Sequence, residues 1–321
     1  MLTKALVYME FLFPIFMIIL GFVILLSGGE FLVKSAVSIA ARLKISPAII
    51  GLTIIAAGTS APELVTSLFA SLKNAPDVAI GNIVGSNIFN ILAILGFASL
   101  IKPNRVDIDF MRIEIPMLII CTILLIGFSW DLKFEQIEGV LSLFVLAVLF
   151  YISIYRAKKV EFEAADEIQI LKSPWLDAGF LLLGIAALVG GAHLALENGI
   201  VLGRLLGLSE RIIGITIISI GTGLPELATS VVAAYKGHND IAIGNVIGSN
   251  LVNTMGVAGV ATSFKTLEIS EELAHFDTLI LLAVTIFLFV IIFLSKQIIN
   301  RAMGLLFIIL YIAYIGLVIH K

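Results

Sequence analysis

Residues 51–96 read GLTIIAAGTSAPELVTSLFASLKNAPDVAIGNIVGSNIFNILAILG, and residues 214–259 read GITIISIGTGLPELATSVVAAYKGHNDIAIGNVIGSNLVNTMGVAG. The two stretches align without a gap at a constant offset of 163 residues (214 less 51), and half of the positions are identical. Each copy holds one glutamate, Glu63 or Glu226, in otherwise apolar surroundings, directly after Pro62 or Pro225. A carboxylate in an apolar span is costly and points to function, and paired interruptions in two halves of a chain point to a shared site between them.

Outside these blocks the sequence is that of a membrane protein. It has 321 residues, of which 60% are hydrophobic and 13% charged, and a mean hydropathy of +1.13. A soluble domain carries roughly 25% charged residues. Apolar runs of about 20 residues, the length that crosses a bilayer core, recur throughout. No period-two alternation suggests a barrel. The net charge of −3 singles out no partner, no nucleic-acid patch is present, and the single cysteine, Cys121, excludes an internal disulfide. The partners expected are the lipid bilayer and small cations, with no cofactor; the oligomeric state is not legible. The early apolar run is not read as a cleaved signal, because residues 21–50 align with 184–213 and belong to the repeated body.

Apolar length and breaks at charge, proline and glycine predict about ten spans, an all-α membrane fold. They lie near 12–33, 47–72, 77–101, 111–128 and 135–155, then 175–199, 210–235, 239–263, 275–294 and 302–319. The polar stretch 156–173, RAKKVEFEAADEIQILKS, separates the half 1–155 from the half 174–321. At the same offset Gly21 falls on Gly184, Gly28 on Gly191, Ser46 on Ser209 and Lys102 on Lys265, so the repeat includes the first three spans of each half. Five spans is an odd number, so the second half enters from the opposite face and the repeats are inverted. With the N-terminus outside, 13 basic residues fall in inside loops and 7 in outside loops. The positive-inside rule then places both termini outside and 156–173 in the cytoplasm, in a cytoplasmic (inner) membrane.

The chemistry sits in Gly58-Thr59-Ser60-Ala61-Pro62-Glu63 and Gly221-Thr222-Gly223-Leu224-Pro225-Glu226. A helical proline lacks its own N–H and clashes with the carbonyl four residues back, so Pro62 releases that of Gly58 and Pro225 that of Gly221. Freed carbonyls at membrane depth need protein, water or an ion. Here each lies beside a carboxylate and a threonine hydroxyl, the oxygen-rich set a hard cation takes. Two glutamates brought together at the midplane repel unless a cation lies between them. Asn82, Ser86 and Asn90, with their copies Asn245, Ser249 and Asn253, are spaced i, i+4, i+8 and line one helix face. Asn87 and Asn250 flank that face, and Gly81/Gly85 and Gly244/Gly248 admit a close neighbouring helix. Glu30 and His193 are expected near span ends. Asp107, Asp109, Glu114, Glu268, Glu271 and Glu272 are expected on solvated faces, and Pro116 is expected to kink its span. The four histidines share no spacing that suggests a transition-metal site.

With G-T-S-x-P-E at 58–63, its copy G-T-G-x-P-E at 221–226, and G-N-x-x-G-S-N-x-x-N in two copies, the chain resembles the sodium/calcium exchanger branch of the cation/calcium exchanger superfamily, most of all its prokaryotic antiporters. The resemblance covers both repeats and, by span count, essentially the whole chain. It implies ten helices in two inverted five-helix halves, the second and seventh broken at the midplane and the first and sixth long and tilted. It implies a non-enzymatic secondary antiporter that exports Ca2+ against Na+. By motif position the Ca2+ ligands would be Glu63, Glu226 and the carbonyls of Thr59 and Thr222. The Na+ sites would draw on Thr59, Ser60, Ser86, Thr222, Ser249, both glutamates and the carbonyls of Ala56 and Ser219, with Asn90 and Asn253 at the centre. Two positions depart from the family pattern: Gly223 stands where a serine is frequent, and Asn253 where an aspartate is frequent. A Ca2+/H+ antiporter therefore stays open as the alternative. More remote are a cation channel, for which broken midplane helices are a poorer fit, and an intramembrane enzyme, for which no catalytic pair is present.

Overall fold

A computed structural model describes residues 2–157, 170–207, 217 and 219–320. The helices are α1 (Leu2–Leu43), α2a and α2b (Pro47–Thr59 and Ala61–Leu72), α3 (Pro76–Ile101), α4 (Ile108–Ser129) and α5 (Gln136–Ala157). The second half holds α6 (Pro174–Leu205), α7a and α7b (Ser219–Thr222 and Leu224–Lys236), α8 (Asn239–Ser263), α9 (Leu273–Leu294) and α10 (Arg301–His320). Among the described residues, eight helices are long and apolar enough to cross a bilayer, and α2a with α2b forms a further span bent by 46°. The remaining expected span begins within 208–216, outside the described residues, as does most of the stretch 156–173.

Helices α3 and α8 form the centre: 83% and 100% of their apolar windows are buried, against 22% for α1 and 17% for α10. The outer helices turn Leu, Ile and Phe side chains such as Phe13, Phe144 and Ile312 outward, as a lipid-facing surface requires. Two inverted halves leave a signature at the α1–α6 crossing. A Cβ on Gly21 would lie 2.8 Å from the Gly191 carbonyl oxygen, and one on Gly191 would lie 2.8 Å from that of Gly21. The same exchange relates Gly28 and Gly184 at 3.0 Å. The repeat offset maps the first contact onto the second, and only glycine lets backbones approach this closely.

Short antiparallel strand pairs tie the halves together. β1 (Asn104–Arg105) pairs with β4 (Ile298–Ile299), and β2 (Lys133–Phe134) with β3 (Leu267–Glu268). β1 and β4 lie in loops expected on one face of the membrane, β2 and β3 in loops expected on the other. The Asp77 carboxylate accepts from the Ser270 amide at 2.8 Å, and the Asn239 amide donates to the Pro103 carbonyl at 2.8 Å, again between same-side loops.

Several sequence expectations need correction. Helix α1 has 42 residues and α6 has 32, well beyond the windows 12–33 and 175–199. Charge ended those windows, but the charges find partners along the helix. Lys34 lies over the Phe180 ring at 5.3 Å, and Arg42 pairs with Asp177 at 2.8 Å. Both therefore lie inside α1 rather than in a loop. Glu30 and His193 are likewise inside α1 and α6, bonded to Lys236 and to Glu197 respectively. Glu114 is not on a solvated face. It is 5% exposed within α4, and Ser153 donates to it at 3.4 Å.

Candidate functional site

The α2 break follows from Pro62. Ser60 leaves helical geometry at φ −79°, ψ 10°, between Thr59 and Ala61. Gly223 does the same at φ −82°, ψ 3°, between Thr222 and Leu224. Glu63 and Glu226 thus each fall in the first turn of the helix after the break, where the unpaired N–H groups favour negative charge. Both are 1% exposed.

The two halves exchange hydrogen bonds around these acids. The Ser60 hydroxyl donates to Glu226 Oε1 at 3.0 Å, and the Thr222 side chain bonds to Glu63. Thr59 Oγ1 lies 3.2 Å from Asn245 Oδ1 and 3.5 Å from Ser249 Oγ. Asn82 donates to Ser67 Oγ at 2.9 Å and to the Glu63 carbonyl at 3.3 Å. Its copy Asn245 donates to Ser230 Oγ at 3.0 Å and to the Glu226 carbonyl at 3.4 Å. Asn82 and Asn245 therefore tie each glutamate-bearing turn to the adjoining core helix.

Asn90 and Asn253 occupy a feature the sequence reading missed. Each lies in a π-helical turn, Phe89–Ile94 in α3 and Val252–Val257 in α8, at equivalent repeat positions. Such turns release backbone groups and concentrate at functional sites. Asn90 donates to Asn250 Oδ1 at 3.0 Å, Asn250 donates back to the Asn87 carbonyl at 3.3 Å, and Asn87 donates to Thr254 at 2.7 Å. This chain of amides orients Asn90. Ser67, Ser230, Asn87 and Asn250 are identical in both repeats, so a signal for them was present; Thr254 faces Ile91 in the other repeat and gave none.

The atoms left over are oxygen-rich. Oε2 of Glu63 and of Glu226, Oδ1 of Asn90 and both polar side-chain atoms of Asn253 are buried without a hydrogen-bond partner. Leaving such groups unpaired is expensive, and an oxygen-coordinated cation would satisfy the acceptors together. Thr59, Ser60, Ser86, Thr222 and Ser249 are buried too, none more than 4% exposed. The Ala56 carbonyl accepts from the Ser60 amide at 3.0 Å and faces Thr59 Oγ1 at 3.4 Å. Ser219 begins α7a. Two carboxylates surrounded by neutral hydroxyl, amide and carbonyl oxygens suit a hard, oxygen-preferring cation.

Access differs from one part of the site to another. Asn82 and Ser86 line a cavity of about 480 Å³ bordered by Gly81, Gly85, Asp77 and Tyr314. At the equivalent glycines the core is closed: a Cβ on Gly248 would fall 2.6 Å from the Leu52 carbonyl carbon, and one on Gly244 3.0 Å from that of Ala48.

Comparison with known proteins agrees with this geometry. The sequence profile of the family described as "Sodium/calcium exchanger protein" matches residues 13–155 and 176–320. The putative antiporter CaxA of Alkalimonas amylolytica is 36% identical over 92% of this chain and 96% of its own. The sodium/calcium exchanger MaX1 of Methanosarcina acetivorans is 31% identical over 93% and 96%. A solved structure of the sodium-calcium exchanger NCX_Mj, soaked with Na+ and Ca2+, superposes with a TM-score of 0.83 at 29% identity, over 95% of this chain and 98% of that one. The chain is a multi-pass membrane protein of inverted-repeat architecture, and it belongs to the sodium/calcium exchanger family.

Proposed function

We propose that the protein exports Ca2+ across a cytoplasmic membrane in exchange for Na+, by alternating access to the Glu63–Glu226 site. The observation that carries this is the set of buried, unpartnered acceptor oxygens on the two glutamates and on Asn90 and Asn253. Ca2+ would bind both carboxylates and the carbonyls of Thr59 and Thr222. Na+ would use the same carboxylates together with Thr59, Ser60, Ser86, Thr222, Ser249, Asn90, Asn253 and the carbonyls of Ala56 and Ser219. Because both ions need the same two acids, they occupy the pocket in turn. An empty pocket holds carboxylate charge in a low-dielectric core and resists the change of access, which prevents a leak.

The two halves would be residues 1–155 and 174–321, joined by the cytoplasmic stretch 156–173, with both termini outside. The same-side loop contacts support the relative sidedness, and the excess of basic residues supports its absolute sense. An inner-membrane location also fits the similarity to the inner membrane protein YrbG of Escherichia coli, 36% identical over 84% of this chain.

The test is uptake of 45Ca2+ by proteoliposomes loaded with Na+ and diluted into Na+-free buffer, with K+- and choline-loaded controls at fixed pH. Uptake is expected with internal Na+ only. Uptake that ignores Na+ and follows an imposed pH gradient would replace this reading with Ca2+/H+ exchange.

A further inference from the structure

The repeat is not symmetric at its most sensitive point. Ser60 donates to Glu226 at 3.0 Å. Its copy is Gly223, which has no hydroxyl to place against Glu63. Nor is the space free for one. A Cβ at Gly223 would lie 2.7 Å from both Cδ1 and Cε1 of Phe89. That ring is 3% exposed and is held against Tyr311 at 5.3 Å between centroids. The copy of Phe89 in the other repeat is Val252, smaller by an aromatic ring. A lost hydroxyl on α7 is therefore matched by an enlarged side chain on α3, and the volume is filled with hydrocarbon.

Charge leads to the same place. The pocket holds two carboxylates, and no third His, Cys, Asp or Glu side chain joins them among the described residues. Asn90 and Asn253, at its centre, are neutral. One Ca2+ neutralises two carboxylates, and so do two Na+. A third Na+ would leave an uncompensated positive charge in a buried site, which is costly. It would also lack the hydroxyl oxygen that Phe89 displaces.

We propose that Phe89 and Gly223 together remove one monovalent-cation position, so that this protein exchanges two Na+ for one Ca2+ without net charge movement. Phe89 is then the residue that sets the coupling ratio. This rests on the Na+/Ca2+ reading above and adds the ratio to it.

The experiment uses the full-length protein in proteoliposomes whose membrane potential is clamped with K+ and valinomycin. The Na+ gradient is fixed and the Ca2+ gradient varied until net 45Ca2+ flux vanishes. The expected null point has the Ca2+ ratio equal to the square of the Na+ ratio, at the same place for every clamped potential. A null point that follows the cube of the Na+ ratio and shifts with potential overturns the proposal while leaving Na+/Ca2+ exchange intact. Absence of any Na+ dependence overturns both. A second arm tests the ring itself. Gly223→Ser, which drives a side chain into Phe89, is expected to lower Na+-driven uptake at least about tenfold. Adding Phe89→Val is expected to restore uptake with a steeper dependence on Na+ than the wild type. A Gly223→Ser variant as active as wild type, or a double variant with no recovery, would contradict the role given to Phe89.

Discussion

Two carboxylates held 1% exposed inside a membrane protein need a reason to be there, and their surroundings supply it. Glu63→Gln or Glu226→Gln keeps the shape and removes the charge. Each is expected to abolish Ca2+ transport, by about 100-fold or more given what a charged ligand contributes, while the protein still folds. Flux measured beside a thermal melt checks both halves of that statement. Asn245→Ala should behave differently, because Asn245 joins Ser230, Thr59 and the Glu226 carbonyl. Leaving those groups without their partner is expected to cost about 1–3 kcal/mol of stability, read as a lower melting temperature. The glutamates, prolines and asparagines were legible in the sequence because they recur at one spacing in two copies. The ring of Phe89 against Gly223 was not, since it depends on which α3 side chain reaches which α7 turn.

At the level of helices, the breaks in α2 and α7 follow from proline chemistry and could be read directly. The π turns of α3 and α8 could not, because Phe89–Ile94 and Val252–Val257 contain no residue that demands an extra residue in the hydrogen-bonded turn. They arise from packing. Helix lengths misled for a related reason: hydropathy windows stop at charge, whereas Lys34 and Arg42 continue α1 by finding an aromatic face and a carboxylate. The glycine pairs make a sharp test of packing. Gly248→Ala would push a methyl group into the backbone of Leu52 and is expected to cost about 1–3 kcal/mol or more. Gly85→Ala faces the 480 Å³ cavity and is expected to leave the melting temperature unchanged or slightly raised.

On the scale of the whole molecule, the inverted repeat brings two weak features, each a lone acid beside a break, into one site that neither half could form alone. The long helices α1 and α6 cross on glycine and are clasped at one end, where Arg42 meets Asp177 and the Leu171 carbonyl and Ser35 donates to the Asp177 carbonyl at 2.7 Å. Asp177 is 3% exposed. Arg42→Ala would strand its carboxylate and is expected to lower stability by about 3 kcal/mol, with partial recovery on adding Asp177→Asn, both read by thermal melts. In the proposed mechanism one site, shared by the two repeats, takes Ca2+ and Na+ in competition. The most direct test is calorimetric titration of Ca2+ into the purified protein at several Na+ concentrations, repeated with Glu63→Gln and Glu226→Gln. One Ca2+ per chain, weakened by Na+ and lost in either variant, is the predicted result. Ca2+ binding that is indifferent to Na+, or that survives removal of one carboxylate, would contradict it.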